Sequence, residues 1–332
     1  MNRSAMEFSK DYFKKECRCG FEIPAMMKRA WAAQMEVLQV VAEICEKNHL
    51  QYYADWGTLL GAIRHKGFIP WDDDIDICMK RKDYNTLIRI LPKELPHGFV
   101  VAGMYADSER LQNAAYVPQL RVIADETLWD FNAYMRRFHG FPYQRAGIDI
   151  FPLDNMPADE ETAKLQRELV RQGIVILRDW DKLKESGELK GCLQDYGKLC
   201  NVEIPEREDI KNWMWRLTDT LCSLYEGEET EKLTNWAVWI TSPDLYRVRS
   251  EWYDDVCYVP FEHIQIPVPG CYDEVLKAQF GDYMTPLQVG GGHDYPFYGE
   301  MEEELVKQIR AVGFRGSVDE FCEKVSTGEL QV

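Results

Sequence analysis

Four aspartates, Asp72, Asp73, Asp74 and Asp76, crowd the stretch PWDDDIDICM. Carboxylates this close repel one another unless a cation lies between them. On an extended chain, alternation sets Asp74 and Asp76 on one face, joined by Asp72 if the strand reaches that far. Asp73, Ile75 and Ile77 then turn the other way. Asp74-x-Asp76 is an oxygen-donor platform of the kind magnesium or manganese takes, with substrate phosphate completing the shell. Asp149 lies between Ile148 and Ile150 in a second strand-like stretch and is placed to add a third carboxylate from across a sheet. Phosphoryl transfer at metal centres uses such an arrangement.

Other residues suit the same chemistry. Gly57 and Thr58, in WGTLLG, open a helix whose first-turn amides suit a phosphate. Arg64, His65 and Lys66 follow that helix and offer cations to the phosphate, or serve as a basic helix end. His293 follows a glycine run in VGGGHDYPFY and is a candidate substrate contact. A calcium loop is set aside: Asp72, Asp74, Asp76 and Asp83 match its ligand spacing, but Ile77 stands where the sharp turn demands glycine.

The positioning elements read as an α+β fold, a mixed sheet flanked by helices with a helical insertion. Apolar residues at three-to-four spacing predict a helix from Ile23 to Asn48. HLQYYADWG predicts a short strand, GTLLGAIRHKG a helix, DIDICM a strand, and RKDYNTLIRILPKEL a helix stopped near Pro92. GFVVAGMYAD, YVPQLRVIADET and FNAYM predict strands of one sheet, and QRAGIDIFPLDNMP a further strand. Beyond Pro157 the pattern turns helical. Ala158 to Lys184 predicts one amphipathic helix, expected to pack on the catalytic half rather than lie on a membrane. DIKNWMWRLTDTLCSLYEG and EETEKLTNWAVWI predict two more helices. Short strands and turns follow from Asp254, with EMEEELVKQIRAVG as the last helix. The expected organisation is a catalytic core over 1–156, a helical insertion over 157–253, and a C-terminal part over 254–332 that completes the site.

With 332 residues, 45% of them hydrophobic, the chain can bury a substantial core. Its net charge of −17 argues against nucleic acid as a partner, because phosphate neutralisation needs Lys and Arg. No run of about 18 apolar residues is present, and the N-terminus lacks the apolar core of a signal peptide. Ten cysteines without a C-x-x-C pair read as reduced thiols. The expected location is cytoplasmic, with the inner face of the membrane as the place to meet a lipid-linked substrate.

GTLLGAIRHKGFIPWDDDIDICMKRKDY resembles the signature of the LicD family, the phosphocholine and phospho-alcohol transferases related to fukutin-related protein. IDIFPLD, Ile148 to Asp154, is similar to the family's second motif, and VPGCYDEVLKAQFGDYMTP to its C-terminal motif. The resemblance implies a nucleotidyltransferase-like fold. In it Gly57-Thr58 is the turn, Asp74 and Asp76 are the D-x-D, and Asp149 rather than Asp154 is the third carboxylate. It implies transfer of phosphocholine from CDP-choline, or of a related phospho-alcohol, to a hydroxyl of a cell-surface glycan or its lipid-linked precursor, releasing CMP. Lipopolysaccharide and teichoic acid are the glycans implied, although the acidic surface repels a polyanionic acceptor. Choline would need aromatic faces. Tyr52, Tyr53, Trp56 and Trp71 bracket the motif, and Trp213, Trp215, Trp236 and Trp239 lie in the insertion, but spacing does not single out a cage. The rival is a D-x-D glycosyltransferase using a nucleotide-sugar. It would need a βαβ unit before the D-x-D, where this chain has a long helix and one short strand.

Overall fold

The structure, a computed structural model, describes residues 5–143, 146–236, 247–287 and 295–332. The chain begins with a hairpin, β1 (Glu16–Arg18) and β2 (Phe21–Ile23), and enters α1 (Ala25–Lys47). Met26, Ala30, Ala33, Val37, Val41 and Ile44 of α1 are all buried, as their spacing requires. Then come β3 (Tyr53–Ala54), α2 (Trp56–His65), β4 (Asp76–Lys80), α3 (Arg81–Glu94), β5 (Phe99–Ala102), α4 (Glu109–Gln112), β6 (Leu120–Ala124), α5 (Phe131–Arg137) and β7 (Gly147–Asn155).

These strands form one mixed sheet in the order β3-β4-β7-β6-β5. β4 and β7 run parallel, and the other pairs antiparallel. β7 holds the centre, which is why GIDIFPLD reads as continuously apolar around its acids. The architecture is the expected α+β, a mixed sheet flanked by helices.

The second region runs through α6 (Glu160–Arg178), α7 (Trp180–Ser186), α8 (Leu189–Cys200) and α9 (Ile210–Cys222). It has its own apolar core, which includes Val170, Leu177, Trp180, Tyr196, Met214 and Trp215. β8 (Lys232–Thr234) and β9 (Val248–Arg249) extend the sheet from the end of β7. A hairpin, β10 (Val256–Phe261) and β11 (Ile264–Pro269), then leads to α10 (Tyr272–Phe280), α11 (Glu302–Ala311) and α12 (Val318–Thr327).

The two cores are bolted together by a buried ion set. Arg81 donates to Asp154 on β7 at 2.6 and 3.0 Å and to Asp219 on α9 at 3.0 Å. Tyr105 donates its hydroxyl to Asp219 as well. Asp154 is therefore neither a metal candidate nor a turn residue bonding its own backbone. It is a strand residue committed to Arg81.

Several expectations are corrected. FNAYM is helical: Asp130 accepts from the Ala133 amide at 3.0 Å, and this cap starts α5. Part of EETEKLTNWAVWI is β8, because pairing with β7 overrides its helical pattern. The helix predicted from Ala158 to Lys184 breaks at Asp179 into α6 and α7, and its buried side packs in the second core, to which Met104 and Met156 of the catalytic half also belong. α3 runs through Pro92 to Glu94, and α12 follows the helix expected to be last. Among the described residues no helix is long and apolar enough to cross a membrane.

Candidate active site

β4, β7 and β6 place three charged residues on one row of the sheet. Asp76 pairs in register with Asp149, and Asp149 with Arg121. The Asp149 amide donates to the Ile75 carbonyl at 3.1 Å, which carries the parallel pairing up to the start of β4. Ile75, Ile77 and Ile150 are fully buried and pin the row from the core side. Asp149 itself is 8% exposed, so its charge needs partners. Its Oδ2 accepts from the Tyr116 hydroxyl at 2.6 Å, and its Oδ1 lies 3.2 Å from Arg121 Nε. Burial works against charge on Arg121, but Asp149, Tyr116, Asp74 and Asp76 outweigh it and raise its pKa.

The aspartates before β4 do not alternate. The strand begins at Asp76, and Asp72, Asp73 and Asp74 lie in irregular chain ahead of it. Freed from the pleat, one carboxylate oxygen of each of the three comes within 4.8 Å of the others. Asp73 thus faces its neighbours instead of pointing away. Its Oδ2 also accepts from the Phe297 amide at 2.6 Å, and Gln34 holds its carbonyl at 2.6 Å. The Asp72 carbonyl is held by Trp31 Nε1 at 3.0 Å.

α2 docks its N-terminus on this turn. Thr58 Oγ1 accepts from the Asp76 amide at 2.8 Å, so the hydroxyl fixes the start of β4. The Asp72 carboxylate rests against Gly57, where any Cβ would collide with Oδ2. Asp55 caps the helix, accepting from the Trp56 amide at 2.9 Å and from Gln279 at 2.8 Å. Trp56 adopts a φ of 45°, a conformation costly for a bulky residue, held by the packing around it.

Burial and the charges of Asp74 and its neighbours push the carboxyls of Asp72 and Asp76 well above the usual range. Asp55 is raised to about 6, mainly by burial. Acids this crowded and buried fit a hard divalent cation, whose compact charge would offset their mutual repulsion. The donor set is all oxygen, as magnesium or manganese prefers.

The expected phosphate cations are arranged differently. Arg64 donates to the Tyr283 carbonyl at 2.6 Å and, from Nε, to His65 Nε2 at 2.9 Å. Burial and the charges of Arg64 and Arg18 drop the His65 pKa to about 4, so His65 is neutral at pH 7. Lys66 is exposed and closes α2 in the left-handed region. His293 and Trp239 lie outside the described residues. Trp215 and Trp236 are buried in the second core, and Tyr53 in the first.

Sequence reasoning missed Arg121, Tyr116 and Asp55. Arg121 had a signal: a single charge inside the apolar run LRVIA, which an edge-to-core strand tolerates only with a partner. Tyr116 had none, because it comes from an irregular segment before β6 and meets Asp149 only in the fold.

Residues 49–164, which hold the whole charged row, match the family described as LicD/FKTN/FKRP, nucleotidyltransferase domain. Over 254 residues the chain is 27% identical to the lipopolysaccharide cholinephosphotransferase LicD of Haemophilus influenzae, covering 75% of this chain and 88% of that protein. It is 40% identical over 67 residues to an uncharacterized protein of Rickettsia prowazekii, spanning 20% of this chain and 25% of that one. An uncharacterized protein of Rickettsia typhi is 41% identical over 58 residues, 18% of this chain and 19% of its own length.

Proposed function

The chain belongs to the LicD family, and on that premise we propose that it transfers phosphocholine from CDP-choline to a hydroxyl of a cell-surface glycan or its lipid-linked precursor. The single observation behind this reading is the row Asp76–Asp149–Arg121 beside the Asp72–Asp74 turn, inside the matched domain. The Haemophilus relative, by its name a lipopolysaccharide cholinephosphotransferase, supports phosphocholine as the group moved.

In this mechanism the acceptor oxygen attacks the choline-bearing phosphorus in line. The bond from that phosphorus to the bridging oxygen breaks, CMP leaves with that oxygen, and the acceptor proton passes to Asp149. Arg121 and Tyr116 fix the Asp149 carboxylate in the orientation that receives it. Arg121, beside Asp149, would also offset the charge that builds on the transferred group. Asp74 and Asp76, with Asp72 and Asp73 beside them, would hold magnesium or manganese. Asp149 adjoins them as a further possible ligand. When bound, the ion neutralises the diphosphate and polarises the phosphoryl oxygens. Thr58 keeps Asp76 in place, and the first-turn amides at Gly57 and Thr58 lie beside the turn to meet phosphate oxygens. Arg64, His65, Lys66 and His293 complete the proposed substrate set, with Arg64 acting through the Tyr283 segment and His65 as a neutral hydrogen-bonding group.

The test is CMP release from a panel of CDP-alcohols, with magnesium and candidate glycans. CDP-choline should be turned over. Asp74→Asn and Asp76→Asn should each lose roughly 10²-fold or more with an unchanged fold. Turnover of a UDP-sugar alone, or full activity in either variant, refutes the reading.

A further inference from the structure

We propose that Phe21, Trp71 and Tyr295 form the seat of the donor's trimethylammonium group. The inference rests on the phosphocholine reading and gives it the residues that spacing left open.

The three rings come from distant segments: Phe21 from β2, Trp71 from the residue before Asp72, and Tyr295 from the C-terminal part. Phe21 is the common neighbour. Its ring centroid lies 6.1 Å from that of Trp71 at 66° and 5.7 Å from that of Tyr295 at 78°. Two rings steeply inclined to a third make the corner of a box, not a stack. Phe21 and Trp71 are half-buried, and Tyr295 is 36% exposed, so the corner opens to solvent. Phe21 and Trp71 rest on the main apolar core with part of each side chain still accessible.

The charge is negative. Trp71 adjoins Asp72 in sequence, and the Phe297 amide bonds Asp73 Oδ2, which ties the Tyr295 segment to the acidic turn. The Tyr295 hydroxyl is pushed up to about 12, first by burial and then by Asp73 and Asp72. His65, edge-on to Trp71 at 6.4 Å, carries no charge at neutral pH. Some other rings carry the protein's own cations: Lys28 lies over Tyr12 and Trp31, and Arg29 over Phe13. Among the described residues no Lys or Arg lies over Phe21, Trp71 or Tyr295.

Aromatic rings beside carboxylates suit an organic cation. A quaternary ammonium is such a cation, held through its diffuse charge by the ring faces. The two-carbon spacer of choline keeps this group near the phosphorus. The corner's place next to Asp72 and Asp73, which lie beside the proposed phosphate site, matches that short reach.

The test is calorimetric binding of CDP-choline and of the CDP ester of its neutral tert-butyl isostere, with magnesium present. The intact protein should prefer CDP-choline. Phe21→Leu, Trp71→Leu and Tyr295→Leu should each cut that preference by about 3- to 30-fold. Trp71→Phe and Tyr295→Phe, which keep a ring, should retain most of it and guard against misfolding. If CDP-choline is turned over but the leucine variants keep the full preference, the seat lies elsewhere and phosphocholine transfer stands. If the intact protein shows no preference and uses a different CDP-alcohol, both readings fall.

Discussion

Arg121 and Asp149 face each other in register on antiparallel β6 and β7, with Nε and Oδ1 3.2 Å apart and Asp76 one strand further along the same row. The sheet itself therefore aligns cation and carboxylates, without help from a loop. Arg121→Gln should lower kcat by roughly 10- to 100-fold, with a smaller change in KM for the donor. Arg121→Lys should recover only part, because an ammonium lacks the planar fork. Steady-state kinetics of both variants decide it. A pure KM effect would move Arg121 from the reacting group to donor binding.

Gly57 offers a way to separate function from folding. Gly57→Ala puts a methyl where the Asp72 carboxylate rests, yet alanine favours the first turn of α2, in which Gly57 lies. Thermal stability should stay within about 1 kcal/mol of the parent. Affinity for magnesium or manganese should fall about 10- to 100-fold. Titration calorimetry beside a melting curve reads both. Unchanged cation affinity would show that Asp72 stands outside the ligand set.

The ion set joining the two cores should be a stability device. Asp219→Ala strips Arg81 of its hydrogen bonds to α9 and Tyr105 of its acceptor, while Asp154 still balances the Arg81 charge. It should destabilise by about 1–3 kcal/mol. Urea unfolding followed by tryptophan fluorescence should show the loss. A cost under 1 kcal/mol would mean that water or Asp154 alone satisfies Arg81.

His65 gives a pH signature. Its pKa in the folded chain lies near 4, below the ordinary 6.5, so unfolding takes up a proton. The stability of its neutral ring is present above pH 6.5 and lost as pH falls toward 4. His65→Asn should flatten that part of the acid limb relative to the parent. The imidazole resonances of the parent should titrate near pH 4. Titration near 6.5 would restore His65 as a cation at neutral pH.

Much of this was legible in the chain. The 3.6-residue spacing of α1 and the apolar runs around Asp76 and Asp149 report burial directly, and burial is what builds these elements. Asp149 was visible as an acid between buried isoleucines. FNAYM was misread because its aromatic content favours a strand, while the deciding feature is the Asp130 cap, one side-chain hydrogen bond. The Asp72–Asp74 turn was misread because alternation holds only inside a strand, and β4 starts later.

By itself the sequence determined the chemistry: clustered carboxylates, a glycine-threonine helix start, and motifs spaced along a sheet-forming chain. These are local, set by residue type and period. The tertiary structure alone decided which groups meet. Register across β4, β7 and β6 put Arg121 rather than Arg64 against the carboxylates. Burial made His65 neutral, the two cores claimed Asp154 for Arg81, and the closing of the C-terminal part on the acidic turn brought Tyr295 to Phe21 and Trp71. Such pairings depend on distances between residues far apart in the chain, which no period along it encodes.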